Sequence, residues 1–217
     1  MMLLGMVWAV FAPLLLVPPM LLAHRGLRAW CGTRVRASGL RAAAVAVVLV
    51  PVAAVWAWQR SQFEAVCRHE GAAVVTAKAR ADGFLLESTT ANSFGPRYLY
   101  DDGFQWFEAR DVSRRDGWVR YERDAAGAIA SRPIDTPTAR YEVRETHGKP
   151  HSHTSLMVTR VSDRQTGAEL SRAASAYFDG GSMMWALGAW GGTACPNAMW
   201  DAEGFRRYYH LVRDTLR

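Results

Sequence analysis

Hydrophobic and polar positions divide this chain into two regimes. From Met2 to Ala23 no ionisable side chain occurs, and from Ala42 to Gln59 an Ala- and Val-rich run carries Pro51 near its middle. At about 1.5 Å of rise per residue the first run spans roughly 33 Å and the second roughly 27 Å, against a hydrocarbon core of about 30 Å. The pattern predicts two transmembrane helices, at about 2–23 and 41–59, joined by a loop over 24–40. Neither run keeps the polar face that a helix of a soluble core shows. A cleavable leader is the rival reading of the first run, but it would carry a basic N-terminal region, and this one has no Lys or Arg. Helical spacing continues through Phe63, Val66 and Cys67, so the second helix should run on as a stalk to about Glu70, where Gly71 ends it.

Beyond Ala72 the period changes to short runs separated by turn signals, as a meander of antiparallel strands requires. Arg97–Tyr100 and Phe104–Glu108 flank Asp101-Asp102-Gly103; Trp118–Arg123 and Ala128–Ser131 flank Asp124–Gly127; Leu156–Val161 and Ala168–Arg172 flank Asp163–Gly167. Each turn ends in a Gly that supplies the positive φ of a tight hairpin. In Arg140–Glu145, Tyr141 and Val143 alternate with Arg140, Glu142 and Arg144, which gives a sheet with one apolar and one charged face. Asp201 is a good N-cap for a last helix carrying Phe205, Tyr208, Tyr209, Val212 and Leu216 in one stripe. That helix and the stalk are expected to cover the apolar face. The fold class expected is thus a membrane-anchored α+β protein: two N-terminal transmembrane helices over 1–59, then a domain over 60–217 with an antiparallel meander sheet packed by a stalk helix and a C-terminal helix. Ser182–Gly191 is apolar, too short to span a bilayer, and reads as a buried connector; a patch dipping into the membrane or docking a partner stays open as the alternative.

Charge orients this arrangement. No acidic residue precedes Glu64, and Arg25, Arg28, Arg34, Arg36 and Arg41 all fall in or beside the predicted loop. Positive residues stay in the cytoplasm, so the loop should be cytoplasmic, with the N-terminus and the domain on the outer face, the periplasm in a bacterium. Only Lys78 and Lys149 among the basic residues are Lys, a composition in keeping with a GC-rich bacterial coding sequence. The net charge of +6 resides almost wholly in the membrane region; after Gln59 there are 21 basic against 20 acidic side chains. A basic nucleic-acid-binding domain is therefore excluded as a reading, and nine Trp, eight Phe and seven Tyr exclude a disordered tail. The same topology puts Cys31 in the reducing compartment and Cys67 and Cys195 in the oxidising one, where they are expected to form a disulfide closing a 128-residue separation.

Candidate chemistry is sparse. His147, His151 and His153, with Glu145 upstream, are the metal candidates, because imidazole pairs bind transition metals; the rival reading is a solvated polar hairpin tip. His69 and His210, one on each helix, are placed to meet near the disulfide, with partly exposed helix histidines as the stronger reading. Asp101 with Asp102, and Glu142 with Glu145, read as carboxylates of turns and charged sheet faces. No GxSxG elbow, HExxH pair, phosphate loop or CxxC occurs, so no cofactor and no catalytic residue is assigned.

A Cys just beyond a membrane helix, the alternating sheet, the Asp163-Arg-Gln-Thr-Gly-Ala-Glu-Leu170 turn and Cys195-Pro196 together resemble a group of small uncharacterised bacterial inner-membrane proteins. The resemblance implies a periplasmic domain and carries over no activity and no functional residue. The partners expected are the lipid bilayer and a protein, with no nucleic acid. The role expected is a protein-interaction or accessory module of an envelope assembly. The alternatives are a toxin-immunity protein and an envelope metal-dependent hydrolase using the His147, His151 and His153 cluster.

Overall fold

The computed structural model describes residues 15–31, 37–88, 91, 95–111, 117–124, 126–187 and 192–217. These fall into two compact units. One takes the chain up to Ala65 together with His151–Thr154 and Tyr177–Ala194; the other takes Val66–Pro150, Ser155–Ala176 and Cys195–Arg217.

The first unit is mainly helical. Helix α1 covers Val17–Cys31 and α2 covers Ala37–Glu70, unbroken through Pro51. Among the described residues, α2 is the one helix long and apolar enough to cross a membrane, and only 11 % of its most apolar stretch is buried within the chain. The expected end at Glu70 is borne out, and Gly71 donates its amide back to the Cys67 carbonyl at 2.9 Å. The expectation of two spanning helices needs correction. Residues 1–14 of the first lie outside the described residues, and the described remainder does not stop at Ala23 but runs on through His24, Arg25 and Arg28. Charge sets where a bilayer would end; it does not end a helix, and Leu, Arg and Ala all favour continuation. The second helix likewise starts before Arg41, at Ala37. Val45, Val47, Val50, Val55 and Trp58 point away from the chain on α2, whereas Leu40, Ala44 and Phe63 are buried. Phe63 packs on Phe178 with ring centroids 5.7 Å apart.

The second unit is built on a sheet in the order β1-β8-β7-β6-β2-β3-β4-β5, with β9 also pairing β8. The strands are β1 Val74–Val75, β2 Gly83–Glu87, β3 Trp106–Arg110, β4 Trp118–Arg123, β5 Ile129–Ile134, β6 Tyr141–His151, β7 Thr154–Asp163, β8 Glu169–Phe178 and β9 Thr193–Cys195. Two hairpins form as expected: β4 and β5 around Gly127 at φ +84°, and β7 and β8 around Gly167 at φ +72°. The alternation in β6 also holds, with Tyr141 and Val143 buried and Arg140 and Arg144 exposed.

The sheet is not purely antiparallel. Strand β2 lies between β3 and β6 and pairs in parallel with both, Leu86 facing Ala109 on one side and Val143 on the other. Gly83, Phe84, Leu85 and Leu86 are all buried, the unbroken apolar run of a strand covered on both faces rather than one. Arg97–Tyr100, expected as a strand, lie instead in a short helix, α3, Pro96–Tyr100. Pro96 in its first turn sets a helical φ, and neighbouring Tyr98 and Leu99 are both buried, which a strand with one solvated face would not allow.

One core holds this unit together. Phe84 meets Tyr98 and Phe104 edge to face at 5.1 and 4.9 Å, and Phe107 stacks on Tyr121 at 4.8 Å. Leu211, Val212 and Leu216 close the same core. They belong to α6, Leu211–Leu216, which follows α5, Ala202–Tyr209. The single C-terminal helix expected is therefore broken at His210, although Asp201 caps α5 as anticipated by accepting from the Gly204 amide. Helices α3 and α6, with Tyr208 of α5, cover this core.

Candidate functional site

A polar constellation of the second unit forms where the α3–β3 turn meets the α5–α6 junction. The Asp101-Asp102-Gly103 turn is held from the C-terminal side at three points. Tyr209 Oη donates to Asp101 Oδ2 at 2.9 Å, and the Arg217 guanidinium donates to the Asp102 and Gly103 carbonyls at 3.0 and 2.7 Å. Between these, Asp102 Oδ1 meets His210 Nδ1 at 2.7 Å. Gly103 is required here because φ is +73° and a Cβ would sit 2.5 Å from Arg217 Nη1.

Electrostatics make this junction more than a surface contact. The Asp102 side chain is almost wholly buried, and its Oδ2 has no hydrogen-bond partner among the described residues. Burial pushes its pKa up, and the hydrogen bond and charge of His210 pull it back without cancelling the rise. Arg97 lies over two aromatic faces, 4.5 Å from the Tyr98 centroid and 4.2 Å from that of Tyr209, and donates to Tyr98 Oη at 3.1 Å. Burial pushes Tyr98 up to about 12 against the opposing influence of Arg97. An Asp–His pair orients an imidazole, which is half of a nucleophile-activating device. Among the described residues no hydroxyl or thiol is hydrogen-bonded to the His210 ring, so the pair as it stands fastens two elements.

A second buried carboxylate is wholly structural. Glu108 on β3 is fully buried; Oε2 accepts from the Thr138 and Ala139 amides at 2.8 and 2.9 Å, and Oε1 from Arg120 and the Thr138 hydroxyl. Burial alone would raise its pKa, but Arg120, the Ala139 amide and Thr138 bring it below the ordinary carboxylate value. Arg120 also lies over the Trp106 ring at 4.1 Å.

The residues singled out in the sequence are placed as follows. Cys67 and Cys195 are at disulfide distance, with Cα atoms 6.0 Å apart. His147 and His151 lie on β6, four residues and so roughly 13 Å apart along the strand, while His153 sits in the turn beyond it. His153 Nδ1 faces Asp179 Oδ1 at 3.1 Å. Among the described residues no three His, Cys, Asp or Glu side chains are grouped to hold a metal. His69 is exposed on α2, and His210 pairs with Asp102 instead. No sequence signal joins that pair, because 108 residues separate its members and neither lies in a recognisable motif.

No such signal marks the pair Met199 and Trp200 either. Both are 81 % exposed, immediately before the Asp201 cap. The turn that presents them is held internally: the Trp200 and Asp201 amides donate to the Asn197 carbonyl at 3.2 and 2.7 Å, and the Met199 amide to Asn197 Oδ1 at 2.8 Å. Compared with known protein families, with curated proteins and with solved structures, the chain has no match.

Proposed function

We propose that this chain is a bacterial inner-membrane protein whose outward domain, in the periplasm, serves as a protein-interaction module of an envelope assembly. The observation that carries the reading is the Met199–Trp200 turn. Two large apolar side chains, each 81 % exposed, stand on a backbone braced by Asn197 and by the Asp201 cap. A rigid aromatic anchor in that setting loses little conformational entropy when a partner buries it. Support for the membrane part comes from α2, whose large Val and Trp side chains face outward where a soluble core helix would bury them. The buried charged groups of the domain are already engaged in joining elements, Glu108 with Arg120 and Asp102 with His210, which favours binding over catalysis.

The test combines topology with contact. Alkaline phosphatase fused after Arg217 is expected to be active, and fused within 32–39 inactive; the reverse pattern overturns the orientation. A photo-crosslinking amino acid at Trp200 is expected to give a discrete protein adduct in living cells, abolished by Met199→Ser, with none at Arg132 on the far sheet edge. Equal adducts at positions 200 and 132 overturn the interaction role.

A further inference from the structure

Helix α4, Gly181–Leu187, belongs to the helical unit, and its contacts fix where along α2 it lies. Ser182 touches α2 twice: its amide donates to Gln59 Oε1 at 2.9 Å and its hydroxyl to the Val52 carbonyl at 3.1 Å. Val52 and Gln59 are the last two turns of the apolar run, beside Trp56 and Trp58, where aromatic rings mark the headgroup level. Helix α4 is thus held against the outer end of the stretch that would lie in the bilayer.

Its first two amides find side-chain partners on the protein. The first amides of a short helix have no partner within it, and each left bare in an apolar medium costs several kcal/mol, about the worth of a hydrogen bond there. Here Gly181 donates to Asp179 Oδ1 at 2.8 Å and Ser182 to Gln59, a side chain itself only 9 % exposed. Gly181 has φ +55°, and a Cβ there would fall 2.3 Å from Gln59 Oε1, so the close seating on α2 needs glycine. The side chains are arranged the opposite way. Met184 is 41 % exposed and Met183 half-buried; residues 188–191 of the expected connector lie outside the described residues. No Asp, Glu, Lys, Arg or His occurs between Asp179 and Asp201.

We infer that α4 is a second membrane-contacting element, an interfacial helix whose Met183 and Met184 side chains enter the outer leaflet beside α2. The inference rests on the reading of α2 as a membrane helix. Capped first amides, apolar outward side chains, no charge between Asp179 and Asp201 and depth along α2 together select lipid over water and over a polar protein surface.

The test is made on the full chain with Cys31→Ala, carrying one added cysteine at Met184, Met183, Val47 or Arg132. Each is labelled with an environment-sensitive fluorophore and reconstituted in vesicles of phosphatidylethanolamine and phosphatidylglycerol. Labels at 184 and 183 are expected to emit to the blue of the label at 132 and to be quenched at least about twice as strongly by lipid bearing a nitroxide high on its acyl chain. If 184 and 183 both behave like 132 while 47 is quenched, the interfacial helix is refuted and the membrane reading of α2 stands. If 47 also behaves like 132, both fall. Circular dichroism identical to the Cys31→Ala parent guards against a misfolded variant, and the two neighbouring positions must agree.

Discussion

Replacing Glu108 with Ala should be among the most damaging single changes in the sheet unit. The loss comes mainly from three of its four contacts. The Thr138 and Ala139 amides, at 2.8 and 2.9 Å, lose their acceptor inside the protein, at about 1 to 2 kcal/mol each. Arg120 is left with a 17 % exposed side chain and no counter-charge, adding about 1 kcal/mol. The total is about 4 kcal/mol, which for a domain of this size lowers the melting temperature by roughly 8 to 16 °C. Glu108→Gln keeps an acceptor for the two amides but turns an NH2 towards Arg120, and should cost about half as much. The measurement is thermal unfolding of the full chain in detergent micelles, followed by circular dichroism. The pH dependence has a definite sign. Because the folded-state pKa lies below the ordinary value, the contribution of Glu108 is complete above about pH 4.3 and is lost as pH falls through the lowered value. The gap between wild type and Glu108→Ala should therefore narrow in acid. A variant melting within about 2 °C of wild type at neutral pH, or a gap that widens in acid, would refute the reasoning.

Three further outcomes follow from the same kind of accounting. Cys67→Ala and Cys195→Ala should each lower stability by about 2 to 5 kcal/mol and the double variant by little more, because either change opens the same 128-residue separation; additive losses would show two independent thiols. Asp102→Asn removes a carboxyl whose burial raises its folded-state pKa, so ionising it costs folded-state stability as pH rises between the unfolded and the raised value; the Asn variant should gain on wild type across that window, and parallel melting profiles would contradict the assignment. Asp201→Ala should cost about 1 kcal/mol by uncapping the Gly204 amide, with Asp201→Asn recovering most of it in the same melts.

What could be read from the sequence is what is local. The turns at Gly127 and Gly167, the alternation through Tyr141 and Val143, the Asp201 cap and the run of α2 to Glu70 are each encoded within a few residues, and each is found in the structure. The errors arise where distant partners decide. Arg97–Tyr100 alternates like a strand, but Pro96 and the pocket that takes both Tyr98 and Leu99 make it a helix. Strand β2 is short and carries no alternation, and only its two parallel neighbours make it the centre of the sheet. The candidate site fared in the same way. Asp102 and His210 are unremarkable in sequence, and their pairing exists only because the C-terminal helices fold back over the α3–β3 turn.

Strand β2 also dictates an order of assembly. Tight turns join β4 to β5 and β7 to β8, so those ribbons can close on contacts a few residues apart. A parallel neighbour cannot be supplied by a tight turn, and the pairing of Leu86 with Val143 closes a loop of more than fifty residues. The two ribbons therefore become one sheet only when Gly83–Glu87 slots between β3 and β6. That docking is a non-local contact of the kind that slows folding, and β2 acts as the keystone between the two arms of the arch.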